Sequence, residues 1–157
     1  MTPRIETPHT LFPAGIKAMM ALEAALHGSG LDPVLLELVK LRASQINGCA
    51  FCIHMHATFL RKHDIAEMKL YMLDAWREST LYSDRERAAL GWTEALTRVA
   101  ETKAPDGDYE ALAAQFGEEE QVQLTLAIGA INTWNRLQIG FRVAHPVDAP
   151  EATRAAH

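Results

Sequence analysis

The chain has 157 residues, 48% apolar and 22% charged, with a net charge of −5, which suits one compact domain with a real core and excludes disorder over most of its length. There is no lysine- or arginine-rich run to suggest a nucleic-acid or anionic-membrane surface, no apolar stretch near the ~20 residues that span a bilayer, and no signal-peptide pattern in M-T-P-R-I-E-T-P-H-T. The expectation is a soluble cytoplasmic protein, a setting in which two cysteines point to catalytic, redox or metal roles rather than a structural staple.

Helical spacing recurs along the chain and alternating strands do not, so the predicted fold class is an all-α bundle of six to seven helices. Residues 1–12 read as an irregular N-terminal arm. Pro13 opens a first helix to about His27, ended by Gly28-Ser29-Gly30. Asp32-Pro33, an N-cap followed by proline at the first helical position, starts a second helix to Ile46, stopped by Asn47-Gly48. Cys49 opens a third, to about Lys62, and Asp64 caps a fourth, to about Glu78. Ser83 and Glu86 form a capping box for a fifth over about 84–101. After Pro105-Asp106-Gly107 a short helix runs from Asp108 to Phe116. The last, about 118–144, begins with three glutamates that suit the positive end of its dipole. The helical domain thus covers 13–146, with 147–157 a loose C-terminal tail.

The chemistry concentrates in E-L-V-K-L-R-A-S-Q-I-N-G-C-A-F-C-I-H-M-H, residues 37–56. Cys49, Cys52 and His56 fall at i, i+3 and i+7, on one helix face. Cys49 stands in the first turn, where free N–H groups and the helix dipole favour a thiolate. His56, four residues beyond Cys52, is placed to move a proton. The helix start favours Cys49 as nucleophile and the nearer imidazole favours Cys52. Glu37 shares a face with Lys40, Ser44 and Asn47. That stripe is either a solvated surface or the source of a carboxylate that orients His56. Lys40 and Arg42 read as surface charges or as a lure for an acidic partner.

Other readings compete. Ile53 stands where a c-type haem site needs histidine after C-x-x-C, a thioredoxin site needs a βαβ setting, and a structural zinc needs four ligands. His54 and His56 with the cysteines are the remaining metal candidate, and two buried thiols packed as small hydrophobes are the inert alternative. No metal or cofactor is expected. Asn132, Asn135 and Arg136 share one face of the last helix and fit a subunit interface, the mouth of the cysteine site or a solvent face. His63 reads as a helix-end histidine, and His9, His27, His145 and His157 as terminal residues without chemistry.

Taken together, Glu37, Cys49, Cys52 and His56 resemble the E-x(11)-C-x-x-C-x-x-x-H signature of the AhpD-like alkylhydroperoxidases of the carboxymuconolactone decarboxylase superfamily. R-K-H-D-I and A-I-G-A-I-N-T-W-N-R-L also resemble that family's peroxidase-related branch. The resemblance spans residues 15–145. It implies an AhpD-like helical bundle, a homotrimer or homohexamer, and reduction of hydroperoxides with electrons from a dithiol reductant of lipoyl type. By position it makes Cys52 the attacking thiol, Cys49 the resolving thiol, His56 the proton relay and Glu37 the residue that sets His56. The best-known AhpD-type peroxidases carry a histidine immediately before the second cysteine, where this chain has Phe51. A non-redox decarboxylase or isomerase, which does not depend on a cysteine pair, and a redox-sensing oligomer are the other functional readings.

Overall fold

The computed structural model describes residues 2–146, which form nine α-helices and one 3-10 turn, without a strand. The helices are α1 (Pro8–Leu11), α2 (Pro13–His27), α3 (Pro33–Asn47), α4 (Ala50–Lys62), α5 (Glu67–Tyr71), α6 (Asp84–Thr97), α7 (Val99–Thr102), α8 (Asp106–Ala113) and α9 (Glu118–Phe141). The expected C-terminal tail lies outside the described residues. Among those described, no helix is long and apolar enough to cross a membrane.

Several boundaries follow from named caps. The Asp32 side chain accepts from the Val34 N–H at 2.9 Å with Pro33 at the first helical position, so α3 starts where the sequence places it. Ser83 and Glu86 close their capping box at the start of α6. The two additional helices are short pieces, α1 inside the arm expected to be irregular and α7 beyond α6. Asp64 takes φ 58° and does not cap a helix. The single helix expected over 64–78 is instead split into α5, capped at Ala66, and a 3-10 turn at Met72–Ala75. The fifth helix breaks at Arg98, which separates α7 from α6. The last ends at Phe141 because Arg142 turns left-handed (φ 54°) and the Val143 N–H returns to the Gln138 carbonyl.

The centre of the fold is α3. It packs against α4, α6 and α9, and every residue from Leu35 to Ser44 is buried. A helix enclosed on all sides has no solvated stripe. Glu37, Lys40, Arg42 and Ser44 are therefore interior groups, not the surface charges considered for this stretch, and each is held by partners. Leucines of α3 fill the core on two sides: Leu35 and Leu36 with α6 and α9, Leu38 and Leu41 with Leu60, Leu73 and Leu90.

Arg42 shows how such a charge is kept. Its Nε and Nη2 donate to Glu94 Oε1 at 2.8 and 2.7 Å, and the Glu94 carboxylate also accepts from Trp76 Nε1 at 2.9 Å and from Arg77. Burial pushes the Glu94 carboxyl up, but these donors outweigh it and hold it below the ordinary carboxylate range. With a depressed folded pKa, its contribution is complete above the unfolded value and is lost as pH falls through the folded one. Glu94→Ala, which strips Arg42 of its main counter-charge, is expected to cost about 3 kcal/mol. A lowered urea midpoint at neutral pH, with a shallower acid dependence than wild type, checks this.

Candidate active site

The site is built around the junction of α3 and α4. Gly48 takes φ 71°, a left-handed conformation that glycine enters without a Cβ penalty, and the Cys49 N–H closes back onto the Ser44 carbonyl at 2.9 Å. This turn makes Cys49 the N-cap of α4, and its sulfur accepts from the Cys52 N–H at 3.4 Å. The turn is anchored from α9. Asn47 Nδ2 donates to the Asn132 and Asn135 side-chain oxygens at 2.9 and 2.8 Å, and Asn135 Nδ2 donates to Ser44 Oγ at 3.1 Å. Asn132 and Asn135 therefore face α3 beside the cysteines, not solvent, and Arg136 returns to the Asn132 carbonyl.

Both cysteines are free and buried, with their sulfurs sharing a hydrogen bond at 2.6 Å. The bond from Cys52 is the main influence holding the Cys49 thiol down, at about 7. The same bond, with burial and the adjacent negative charge, pushes the Cys52 thiol up. Two thiols this close titrate as a unit, so the first ionisation belongs to the pair and leaves one proton between two sulfurs. Thiolate ultraviolet absorbance of the reduced protein is expected to rise with a midpoint near 7. Cys52→Ala, which removes the donor, is expected to move that midpoint up toward the ordinary thiol value.

Glu37 and His56 meet. The His56 Nδ1–H donates to Glu37 Oε2 at 2.6 Å, with both side chains buried. That bond leaves Nε2 as the working nitrogen, and Nε2 is buried with no partner among the described residues. Lys40 Nζ binds Glu37 Oε1 at 3.4 Å and Glu23 Oε2 at 2.8 Å, and Glu23 Oε1 accepts from Trp134 Nε1 at 3.0 Å. Burial pushes the Glu37 carboxyl up, but the bond and charge of His56 and then of Lys40 prevail and keep it below the usual range. An ionised carboxylate in this position accepts from Nδ1 and fixes the orientation of the ring.

A cavity of about 540 Å³ opens beside this group. Cys52, His56, Glu37 and Lys40 line it together with an apolar wall that includes Ile16, Met20, Phe51, Phe59, Ile131 and Trp134. The structure thus places Cys49, Cys52 and His56 together as the spacing suggested, and it sets Glu37, which the spacing left between a solvated face and a partner for His56, against the imidazole, while His63 turns to the Phe59 carbonyl at the end of α4. Sequence reasoning missed Glu23, which is tied to Glu37 through Lys40. It also set aside His9 and His27, which line the cavity. These residues come from α1 and α2, remote in sequence from the cysteine motif, and no local spacing ties them to it. Among the described residues, no group of three or more His, Cys, Asp or Glu side chains is arranged to hold a metal ion.

The model of the carboxymuconolactone decarboxylase family matches residues 13–95. The uncharacterized protein YdfG of Bacillus subtilis (strain 168) is 40% identical over 133 residues, covering 85% of this chain and 90% of that protein. A crystal structure from Agrobacterium tumefaciens, of a protein of unknown function provisionally named the antioxidant-defence protein AhpD, is 49% identical with a TM-score of 0.89. The match covers 94% of this chain and all of that one. The debrominase Bmp8 shares the fold, with a TM-score of 0.76 at 18% identity, over 86% of this chain and 73% of its own.

Proposed function

The chain belongs to the carboxymuconolactone decarboxylase family as an AhpD-like member, and from that premise we propose that it is a thiol-dependent peroxidase. Cys52, Cys49, His56 and Glu37 carry the reaction in this reading. The observation that supports it best is the unpartnered His56 Nε2, backed by Glu37 and set with Cys52 in the wall of an apolar cavity.

The steps follow from the geometry. The pair begins with one proton between its sulfurs. When that proton sits on Cys49, the negative charge lies on Cys52, the sulfur that faces the cavity. Cys52 attacks the terminal oxygen of a hydroperoxide, the O–O bond breaks, and the departing alkoxide takes a proton from the His56 imidazolium. Cys52 is left as a sulfenic acid. The Cys49 sulfur attacks it, forms the disulfide and releases water with the Cys49 proton. A dithiol then returns two electrons and restores both thiols. The apolar cavity wall favours organic hydroperoxides over hydrogen peroxide.

Mixing reduced protein with one equivalent of an organic hydroperoxide tests this. The expected result is loss of both thiols, a mass decrease of two hydrogens and one equivalent of alcohol. Retention of both thiols after prolonged incubation overturns the reading.

A further inference from the structure

The two cysteines face different hollows. Cys52 lines the large cavity, whereas Cys49 lines a second hollow of about 320 Å³ that does not include Cys52. Phe51 and Gln138 border both and form the partition between them. The second hollow has a distinct chemistry. Arg4 and Arg142 stand at its edge and, among the described residues, no acidic side chain lines it, in a chain whose net charge is −5. Arg4 is pinned by its N–H on the Phe141 carbonyl and by Nη1 on the Gly140 carbonyl at 3.0 Å. Arg142 is held in place by the left-handed turn that ends α9. Ala50, in the first turn of α4, brings the positive end of that helix to the same wall. Gln138, 7% exposed, carries a buried Oε1 with no partner among the described residues.

We infer that this hollow is a separate port for the reductant, built for a small thiol that carries a carboxylate. The inference rests on the dithiol–disulfide cycle proposed above. The carboxylate pairs with Arg4 and Arg142, and the thiolate reaches the Cys49 sulfur. Attack there forms a bond from the incoming sulfur to Cys49 and breaks the Cys49–Cys52 bond. Cys52 leaves with the electron pair and is protonated from His56 on the far side. A second thiolate attacks the incoming sulfur, releases Cys49 and departs as the oxidised disulfide. Substrate and reductant thus reach the pair from different sides and do not compete for one cavity.

The test uses the full-length protein oxidised with diamide, so it needs no hydroperoxide. Reduction is timed with dihydrolipoate and with dihydrolipoamide, the same dithiol bearing a carboxylate or a neutral amide. The acid is expected to react about five- to tenfold faster at low ionic strength, with the advantage fading in about 1 M salt. In the Arg4→Gln/Arg142→Gln double variant the ratio of the two rates falls to about one if steering by these arginines is the cause. Equal rates in wild type, or a preference that survives the double substitution, overturn the port. Failure of diamide to form the disulfide sinks the cycle and the port together. A clear acid preference in a protein that leaves hydroperoxides untouched sustains the port and removes the peroxidase reading alone.

Discussion

Cys52→Ser is expected to reduce hydroperoxide consumption by about a thousandfold or more, because a serine hydroxyl at that place is not ionised near neutral pH and cannot accept the peroxide oxygen as a thiolate does. Cys49→Ser is expected to behave differently. It keeps the sulfur that faces the cavity and removes the partner that resolves it, so it performs one turnover and stops with a sulfenic acid on Cys52. Trapping with a dimedone-type reagent and locating the adduct by mass separates the two roles. The contrast follows from an asymmetry in the site. The hydrogen bond between the sulfurs favours the charge on Cys49, while Cys52 is the cysteine that lines the cavity with His56. An adduct on Cys49 in the Cys52→Ser protein would reverse the assignment, and unimpaired turnover in both variants would end the peroxidase reading.

Glu37→Gln is expected to lower the first-turnover rate by about a hundredfold, in the range general acid–base contributions take. The amide keeps a hydrogen-bonding side chain against His56 Nδ1 but removes the negative charge that faces the ring while it passes its proton to the alkoxide. Burial leaves no solvent to replace that charge: Glu37 is 5% and His56 3% exposed. In wild type the rising limb of the pH–rate profile should have its midpoint near 7, following the thiol pair. Glu37 stays ionised throughout that window because its pKa is depressed. Glu37→Gln should therefore lower the whole curve. Rapid-mixing measurements that find an unchanged plateau would show that the carboxylate only packs against the ring.

Much of the fold and the core of the site were legible in the chain. The caps at Asp32 and Ser83, the stop at Asn47-Gly48 and the C-x-x-C spacing are local signals, and each appears where local physics puts it. The split of the fourth helix was not legible, because Asp64 is a common N-cap and nothing nearby announces its positive φ. Burial of the α3 charges was not legible either. A stripe of Glu37, Lys40, Ser44 and Asn47 has the same period whether it faces water or a neighbouring helix, and only packing against α4, α6 and α9 decides between them. The partners that make this burial tolerable come from far along the chain: Glu23 for Lys40, Glu94 for Arg42, Asn135 for Ser44.

The enclosure of α3 also sets limits on how this protein can be altered. Interior ion pairs contribute less to folding than well-packed hydrocarbon of the same volume, and replacing a whole set of them often raises stability by about 1–4 kcal/mol. Glu23, Lys40, Glu37 and His56 form such a set. Directed evolution under heat alone would favour variants that exchange these residues for leucine or methionine, and the survivors would be robust and inert. Thermostabilisation of this scaffold therefore requires a screen for reactivity at every round, since the substitutions most rewarded by temperature lie beside the reacting sulfur.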